Sequence, residues 1–437
     1  MSNAATKSVA LWVVRVLRKA GYEALFAGGC VRDMLLGIRC TDYDVATSAT
    51  PEQVRKLFRH VLLVGAKFGV AMVIVDRRRV EVTTFRSEES YSDGRRPDHV
   101  TFTTARQDAL RRDFTINGMF YDPIAREVID HVGGREDLRR GVVRTIGSPE
   151  LRFGEDYLRL IRAVRFAVRL GFEIEPATAD AVRHHAPKIV GISGERVFDE
   201  LSKMLAKPSA AAALERLEEL GLARHILPEL FGDPRPEGSG LSASTQREQP
   251  RPLPSGRGSP EAELWHRALD RAAALADRKD LTLTLAALLC DLSVATIAAM
   301  VRRWGASNEL RDGLVFLAAH LGDWQRPEAL SLAGLKRLMA NRDFKRLLAL
   351  WRVEEMQLTG VASLTVALAR RAGKVDPSKV APSPLLTGKD LKRLGLEEGP
   401  KLGGVLRTIY DAQLNEHIAT RKEALALAVG ILRGQGS

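Results

Sequence analysis

Strand-like patterning in this chain stops near residue 150, and from residue 155 onward the apolar positions recur with the period of an α-helix. That division constrains the fold more than any single residue does. Before it, residues 23–27 and 43–46 read as short strands around a helix at 31–36 that Gly37 closes. Pro51 opens a further helix over 51–58, in a first turn that accepts it. Residues 70–75 and 80–85, joined by the polar stretch 76–79, read as a β-hairpin. After the division, Tyr157, Leu160, Ile161, Val164, Ala167 and Val168 follow the i, i+3, i+4, i+7 spacing of one helix face. The class is α+β: a small mixed-sheet head followed by an all-α neck, body and tail. Head 1–150, neck 151–220, a Pro/Gly-rich loop or linker 221–262, body 263–375 and tail 376–437 are the expected pieces. The clearest break is 233–260, rich in Pro, Gly, Ser and charge; a shorter one falls at 373–384, and no repeat of 20–50 residues is seen.

A chain of 437 residues exceeds what one core usually serves. Lys and Arg total 66 against 54 Asp and Glu, a formal charge of +12 that favours a polyanionic partner. Charge by itself does not separate DNA, RNA and anionic lipid. No apolar run approaches the roughly 18 residues of a membrane span. Residues 1–21 read as an amphipathic helix and not as a signal peptide. Cys30, Cys40 and Cys290 have no metal-ligand spacing and fit a reducing cytoplasm. No membrane association and no obligate protein partner are expected.

The first strand–helix–strand unit contains GGCVRDMLLGIRCTDYDV, residues 28–45. Alternate residues of a strand share a face, so Asp42 and Asp44 project together while Tyr43 turns into the other layer. Two carboxylates this close repel unless a cation lies between them, and Mg²⁺ is the usual partner. A Mg²⁺ pair on shared carboxylates can activate an attacking hydroxyl and neutralise a leaving pyrophosphate. Acidic pairs are also common as solvated turn residues, so the aspartates need support. Gly28 and Gly29 provide it: they follow a strand and precede a helix, where backbone N–H groups can approach a triphosphate. Arg32, one turn into that helix, adds charge for the same phosphates. A tight turn with an ordinary surface arginine is the simpler alternative. A dinucleotide fold fits less well, because the third glycine of G-x-G-x-x-G is missing and the acids come too early.

These residues resemble the head of the class II tRNA nucleotidyltransferase and bacterial poly(A) polymerase family, within the polymerase-β-like superfamily. G-G-x-V-R-D followed by D-x-D begins the resemblance. It continues in order through VEVTTFR (80–86), RRDFTINGM (111–119), the run to RTIG (144–147), EDYLRLIRAVRF (155–166) and ERVFDELSKML (195–205). LTGKDLKRLGLEEGPKLGGVL at 386–406 is similar to the tail of some members. The resemblance implies that Asp42 and Asp44 hold two metal ions and that Gly29 and Arg32 meet the incoming triphosphate. It also implies that Arg112 contacts the nucleotide. Glu81, on a neighbouring strand, is a candidate third acid, with a surface glutamate as the alternative. Gly118 stands where the family motif has alanine, which predicts a looser packing contact and no lost functional group.

The helix expected from Glu155 has a polar stripe of Glu155, Arg159, Arg162 and Arg169, with Asp156 beside Arg159. Pairing at i, i+4 on a solvated face is the simple reading. The other reading is base selection. Cytosine and adenine each present an amino donor beside a ring-nitrogen acceptor, which an aspartate and an arginine can satisfy together. Uracil and guanine present the opposite pattern and are rejected. The resemblance implies that E-D-x-x-R is such a protein template, with Asp156 and Arg159 reading the base and Arg162 and Arg165 supporting the nucleotide site. The expected reaction is attack of an RNA 3′-hydroxyl on the α-phosphate of CTP or ATP, releasing pyrophosphate, with no nucleic-acid template.

Within that family, full CCA addition, A-only addition and poly(A) addition compete, and an inactive RNA-binding protein on the same scaffold is a fourth reading. Ala66-Lys67-Phe68-Gly69 resembles the tRNA-repair branch, since poly(A) polymerases carry two basic residues before that phenylalanine. The loop 87–110 is full length, with Tyr91, Asp93, Arg95 and Arg96 available to lever between C and A states; CC-only members have lost part of it. Residues 263–292 resemble a His-Asp phosphohydrolase signature in which Cys290 replaces the histidine before Asp291. This predicts a helical scaffold without hydrolase activity, with His266 and His320 as remnants or ordinary residues.

Overall fold

Alternation at residues 42–45 leads into the centre of the head sheet: Tyr43 and Val45 are buried, while Asp42 and Asp44 are exposed. A computed structural model describes residues 3–63, 69–89, 99–232 and 260–434, and the chain divides into two compact units, Met1–Gly238 and Ser239–Ser437. Ala66, Lys67 and Phe68, the loop residues Tyr91, Asp93, Arg95 and Arg96, and residues 233–259 lie outside the described residues.

The first unit opens with α1 (Asn3–Lys19), β1 (Ala24–Ala27), α2 (Gly29–Leu35), β2 (Asp44–Thr47) and α3 (Pro51–Leu57). Pro51 occupies the first turn of α3 and Thr50 closes a capping box with Gln53. Then come β3 (Val61–Leu62), β4 (Val70–Val75), β5 (Arg78–Thr84), β6 (Arg86–Glu89), β7 (His99–Phe102), α4 (Ala105–Leu110), β8 (Phe120–Asp122) and β9 (Glu127–Ile129). Seven strands form one mixed sheet in the order β3-β4-β5-β2-β1-β8-β9. Only β2 and β5 pair in parallel; the other neighbours are antiparallel. Leu25, Ala27, Ala46, Phe85 and Phe120 cluster with Ala105 and Ala109 of α4, and α1 packs against β1, β2 and β5. The hairpin turn is tighter than the sequence predicts. Asp76 and Arg77 alone make it, both at positive φ (48° and 62°), the two-residue geometry that matches strand twist. The arms of the predicted loop 87–110 pair as β6 and β7, from Arg86 opposite Phe102.

Gly118 departs from expectation. A Cβ there would lie 2.7 Å from Val132 Cγ2 and 2.9 Å from Ile146 Cδ1, so the space an alanine needs is already filled. The packing is tight where a loose contact was predicted.

The unit continues with α5 (Gly134–Arg140), β10 (Val142–Val143), α6 (Pro149–Glu155), α7 (Leu158–Leu170) and β11 (Glu173–Ile174). The last of these pairs in parallel with β10, a small interruption in an otherwise helical stretch. The helix predicted from Glu155 is in fact two helices. Asp156 is extended (φ −155°, ψ 105°) and separates α6 from α7. Next come α8 (Pro176–His185), α9 (Gly194–Leu205), α10 (Ala210–Glu219) and α11 (Ala223–Ile226). Leu222, Ala223, Ile226, Leu227 and Leu230 are buried, so 221–232, assigned to a linker by composition, packs as part of this unit.

The second unit is helical: α12 (Pro260–Leu275), α13 (Leu281–Leu289), α14 (Val294–Arg303), α15 (Asn308–Ala319), α16 (Leu332–Ala340), α17 (Phe344–Thr359) and α18 (Ser363–Gly373). Trp265, Trp304 and Trp351 are fully buried in it. It closes with α19 (Gly388–Arg393), α20 (Pro400–Leu414) and α21 (Arg421–Leu432), whose Leu391, Val405, Ile409, Ala424 and Ala428 share a core cluster. Among the described residues no helix is long and apolar enough to cross a membrane.

Candidate active site

A cavity of about 520 Å³ opens where β1, β2 and β5 of the head face α7 and α9 of the neck. Its lining includes Gly28, Gly29, Arg32, Asp44, Glu81, Arg112, Asp156, Arg159 and Arg162 of the residues singled out from sequence. Eight arginines (32, 86, 111, 112, 159, 162, 169 and 196) outnumber four acids (44, 81, 113 and 156) in that wall, a field suited to a polyphosphate. Asp42 and Arg165 do not line it.

Gly28 carries the strand into α2 at φ +70°, and a Cβ there would lie 3.0 Å from Arg112 Nη1. The positive φ favours glycine, and a side chain there would have to push the Arg112 guanidinium aside. Arg32 is 2% exposed, and its guanidinium donates to Asp33 Oδ1 and to Asn117 Oδ1 (2.6 Å) and lies 5.1 Å from the Phe166 ring centre. Arg32 is thus a fixed, buried charge at the cavity wall and not the mobile surface arginine of the simpler reading.

Asp44 begins β2, and Tyr43 before it packs on Phe26 with ring centres 5.3 Å apart. The β2–β5 register pairs Val45 with Val82, which aligns Asp44 with Glu81 one step earlier. The Asp44 carboxyl opens into the cavity but is recessed in it. Its pKa is pushed up to about 6, first by burial, then by Glu81, with Arg112 opposing and Asp42 adding. Carboxylates so placed favour a cation beside them, and an all-oxygen donor set suits a hard divalent one. Glu81 does not join Asp42 and Asp44 in a three-ligand cluster; among the described residues only Glu150, His184 and His185 form one.

Around these acids runs a continuous polar network. Asn117 Nδ2 donates to Asp113 Oδ1 (3.0 Å), and Arg162 Nε donates to Asp113 Oδ2 (2.9 Å). Arg165 Nε donates to Glu200 Oε2, whose other oxygen lies 3.8 Å from Arg162 Nη1. Burial alone would raise the Asp113 carboxyl, but Arg162 and the Asn117 hydrogen bond override it and hold it near about 2. Arg112 is fixed by Asp108 (2.9 Å) and by the Phe120 ring at 5.0 Å.

Asp156 and Arg159 face the same cavity, and the Arg159 N–H donates to the Asp156 carbonyl (3.0 Å) while their side chains bond other groups. Asp156 Oδ2 accepts from Arg196 of α9 (2.8 Å) and Oδ1 accepts from the Leu158 N–H (3.0 Å). Arg159 donates to Glu155 and to the Arg152 carbonyl (2.9 Å). Sequence reasoning missed Arg196, Asp113 and Asn117. Each stands inside a quoted motif, yet its partner is 40, 49 and 85 residues away (Asp156, Arg162 and Arg32).

In the second unit, where the sequence resembles a His-Asp signature, Asp291 is met by Arg271, which is 0% exposed and also bonds Glu354 (2.9 Å) and the Ala287 carbonyl (2.9 Å). Arg267 reaches both acids. His266 is exposed, and His320 pairs with Asp323 (2.7 Å).

Residues 24–144 match the family described as the poly A polymerase head domain. Residues 171–232 match the family described as the probable RNA and SrmB-binding site of polymerase A. The chain is 35% identical to the CCA-adding enzyme of Geobacillus stearothermophilus over 432 residues, 95% of each chain. It is 41% identical to poly(A) polymerase I of Salmonella typhi over 235 residues, 51% of this chain and 50% of that one. The crystal structure of the Bacillus stearothermophilus CCA-adding enzyme in complex with CTP superposes with a TM-score of 0.75 at 32% identity, covering 98% of this chain and 97% of that one. With the glycine turn, the acidic strand and the arginine-rich wall in one cavity, the chain belongs to the family of class II CCA-adding tRNA nucleotidyltransferases and bacterial poly(A) polymerases.

Proposed function

We propose that this protein adds or repairs the 3′-terminal CCA of tRNA from CTP and ATP, releasing pyrophosphate. The observation that carries this reading is extent: similarity to CCA-adding enzymes spans 95% of both chains, whereas similarity to poly(A) polymerase I stops at half. The head would be 1–150, the neck 151–220, the body 263–375 and the tail 376–437. All three cysteines are free and buried, which fits work in a reducing cytoplasm.

In this reading the glycine turn and Arg32 hold the triphosphate, with Arg112 fixed beside them by Asp108. Asp42 and Asp44 would hold Mg²⁺, as a pair of ions, with Glu81 adding negative charge beside them. Bound there, the metal supplies charge neutralisation at the attacking 3′-hydroxyl and the departing pyrophosphate. Asp156 accepts from the exocyclic amino group of cytosine or adenine while Arg159 donates to the ring nitrogen. A carboxylate has room for that further bond beside those from Arg196 and Leu158. Arg162 and Arg165 keep their place through Asp113 and Glu200, so α7 presents a fixed reading face.

The test is product length. tRNAs ending before CCA, after CC, and complete are supplied with each nucleoside triphosphate separately and together. Completion of CCA and no further growth is expected. Long A tails would reassign the chain to poly(A) addition, and A added only after an existing CC would make it a half enzyme.

A further inference from the structure

On the neck, away from the cavity, α6 and α8 bring Glu150, His184 and His185 together. One ligand atom from each lies within 4.8 Å of the other two, and no other such set occurs among the described residues. Consecutive residues of a regular helix diverge by about 100°. This pair sits in the last turn of α8, where the chain passes into the 3₁₀ turn Ala186–Gly191, and its rings meet edge to face at 4.9 Å. The His185 ring is held in place: its Nε2 is 2.5 Å from Glu150 Oε2, and the Tyr157 ring centre is 5.7 Å away. Its side chain is only 14% exposed, whereas Glu150 and His184 open to solvent. An ion can therefore arrive from solvent onto a ligand already oriented.

We propose that Glu150, His184 and His185 bind a borderline divalent transition-metal ion, Zn²⁺ first, at a site distinct from the cavity carboxylates. Two imidazole nitrogens and one carboxylate oxygen are the donor set of three-ligand zinc sites that keep one position open. Mg²⁺ favours oxygen donors and keeps its water, so the two places in this unit sort the two ions by ligand chemistry. Occupancy ties α6 to α8. Because α6 also carries Arg152 and Glu155, which hold Arg159, the ion stiffens the segment that leads into Asp156.

The experiment uses the full chain carrying Asp42→Asn and Asp44→Asn, stripped with chelator, so that the cavity carboxylates contribute nothing. Zn²⁺ is titrated by calorimetry while Tm is followed. One equivalent is expected to bind and raise Tm. His184→Ala in the same background should weaken binding at least about tenfold and remove the Tm shift; Glu150→Gln should act in the same direction. His184 is exposed, so its substitution leaves folding intact, which the metal-free Tm verifies. X-ray absorption of the loaded protein should show nitrogen and oxygen neighbours at about 2.0 Å and no sulfur. Absence of binding at about 100 µM Zn²⁺, or affinity untouched by His184→Ala, overturns the proposal. So does an equal, histidine-dependent response to Mg²⁺.

Discussion

Asp44 and Asp291 both sit among acidic neighbours, and the protein treats them in opposite ways. Asp44 has Glu81 and Asp42 beside it, and its carboxyl is pushed up to about 6. Asp291 and Glu354 share the guanidinium of Arg271, which is fully buried and further bonded to a backbone carbonyl. A side chain built into the second unit does permanently what an exchangeable cation would do in the first. A site that takes up and releases ions must leave charge uncompensated, whereas a purely structural acid pair need not.

Replacing both Asp42 and Asp44 with alanine puts this contrast to its hardest test. Transfer to tRNA should fall by at least about 10³-fold, read by 3′-extension, while filter-binding of tRNA is kept. Activity near the parent level would remove these residues from the reaction. At the other site, Arg271→Met should lower stability by about 3 kcal/mol in denaturant titration, because buried Glu354 and partly buried Asp291 lose their main partner and keep only the more exposed Arg267. Adding Asp291→Leu and Glu354→Leu should recover much of that loss; no recovery would mean Arg271 acts through packing instead.

Asp113 supplies a compensated carboxylate inside the first unit, 8% exposed and held near about 2 by Arg162 and Asn117. Its folded-state value lies below the unfolded one, so its stabilisation is complete above about pH 4 and is lost as pH falls toward 2. Asp113→Asn should cost about 2 kcal/mol at pH 7 and progressively less in that acid window. A penalty independent of pH would point to geometry alone. Asp44 has the reverse sign. Its raised value means the folded state is penalised as pH rises through about 6, with no penalty below about pH 4. Asp44→Asn should therefore stabilise the chelated protein at pH 8 by about 1 kcal/mol, after allowance for solvent screening of an open group, and give no gain at pH 4. A loss of stability at pH 8 would deny the repulsion.

Much of the head was legible because its signals are local. Tyr43 between two aspartates reports the strand's faces by itself, and Pro51 with Thr50 and Gln53 marks a helix start within four residues. The cavity wall was legible only in part. Asp156 and Arg159 line the same cavity, but a continuous 3.6-residue pattern concealed the extended residue between α6 and α7. Arg196 could not be read as the partner of Asp156, because that bond joins the α6–α7 junction to α9, with α7, a strand and another helix between them in the chain. Arg271 has the same origin: Glu354 is 83 residues away, and nothing near Asp291 announces it.

Gly118 also bears on how this sequence can change over evolutionary time. Alanine is inaccessible to it in one step without displacing Val132 or Ile146, since both methyl groups already stand under 3 Å from the required Cβ. A smaller residue at 132 or 146 would open the way, but by itself leaves a void. Whichever replacement comes first is disfavoured until the second arrives, so this lineage can hold its glycine through historical contingency as well as through selection on the nucleotide site.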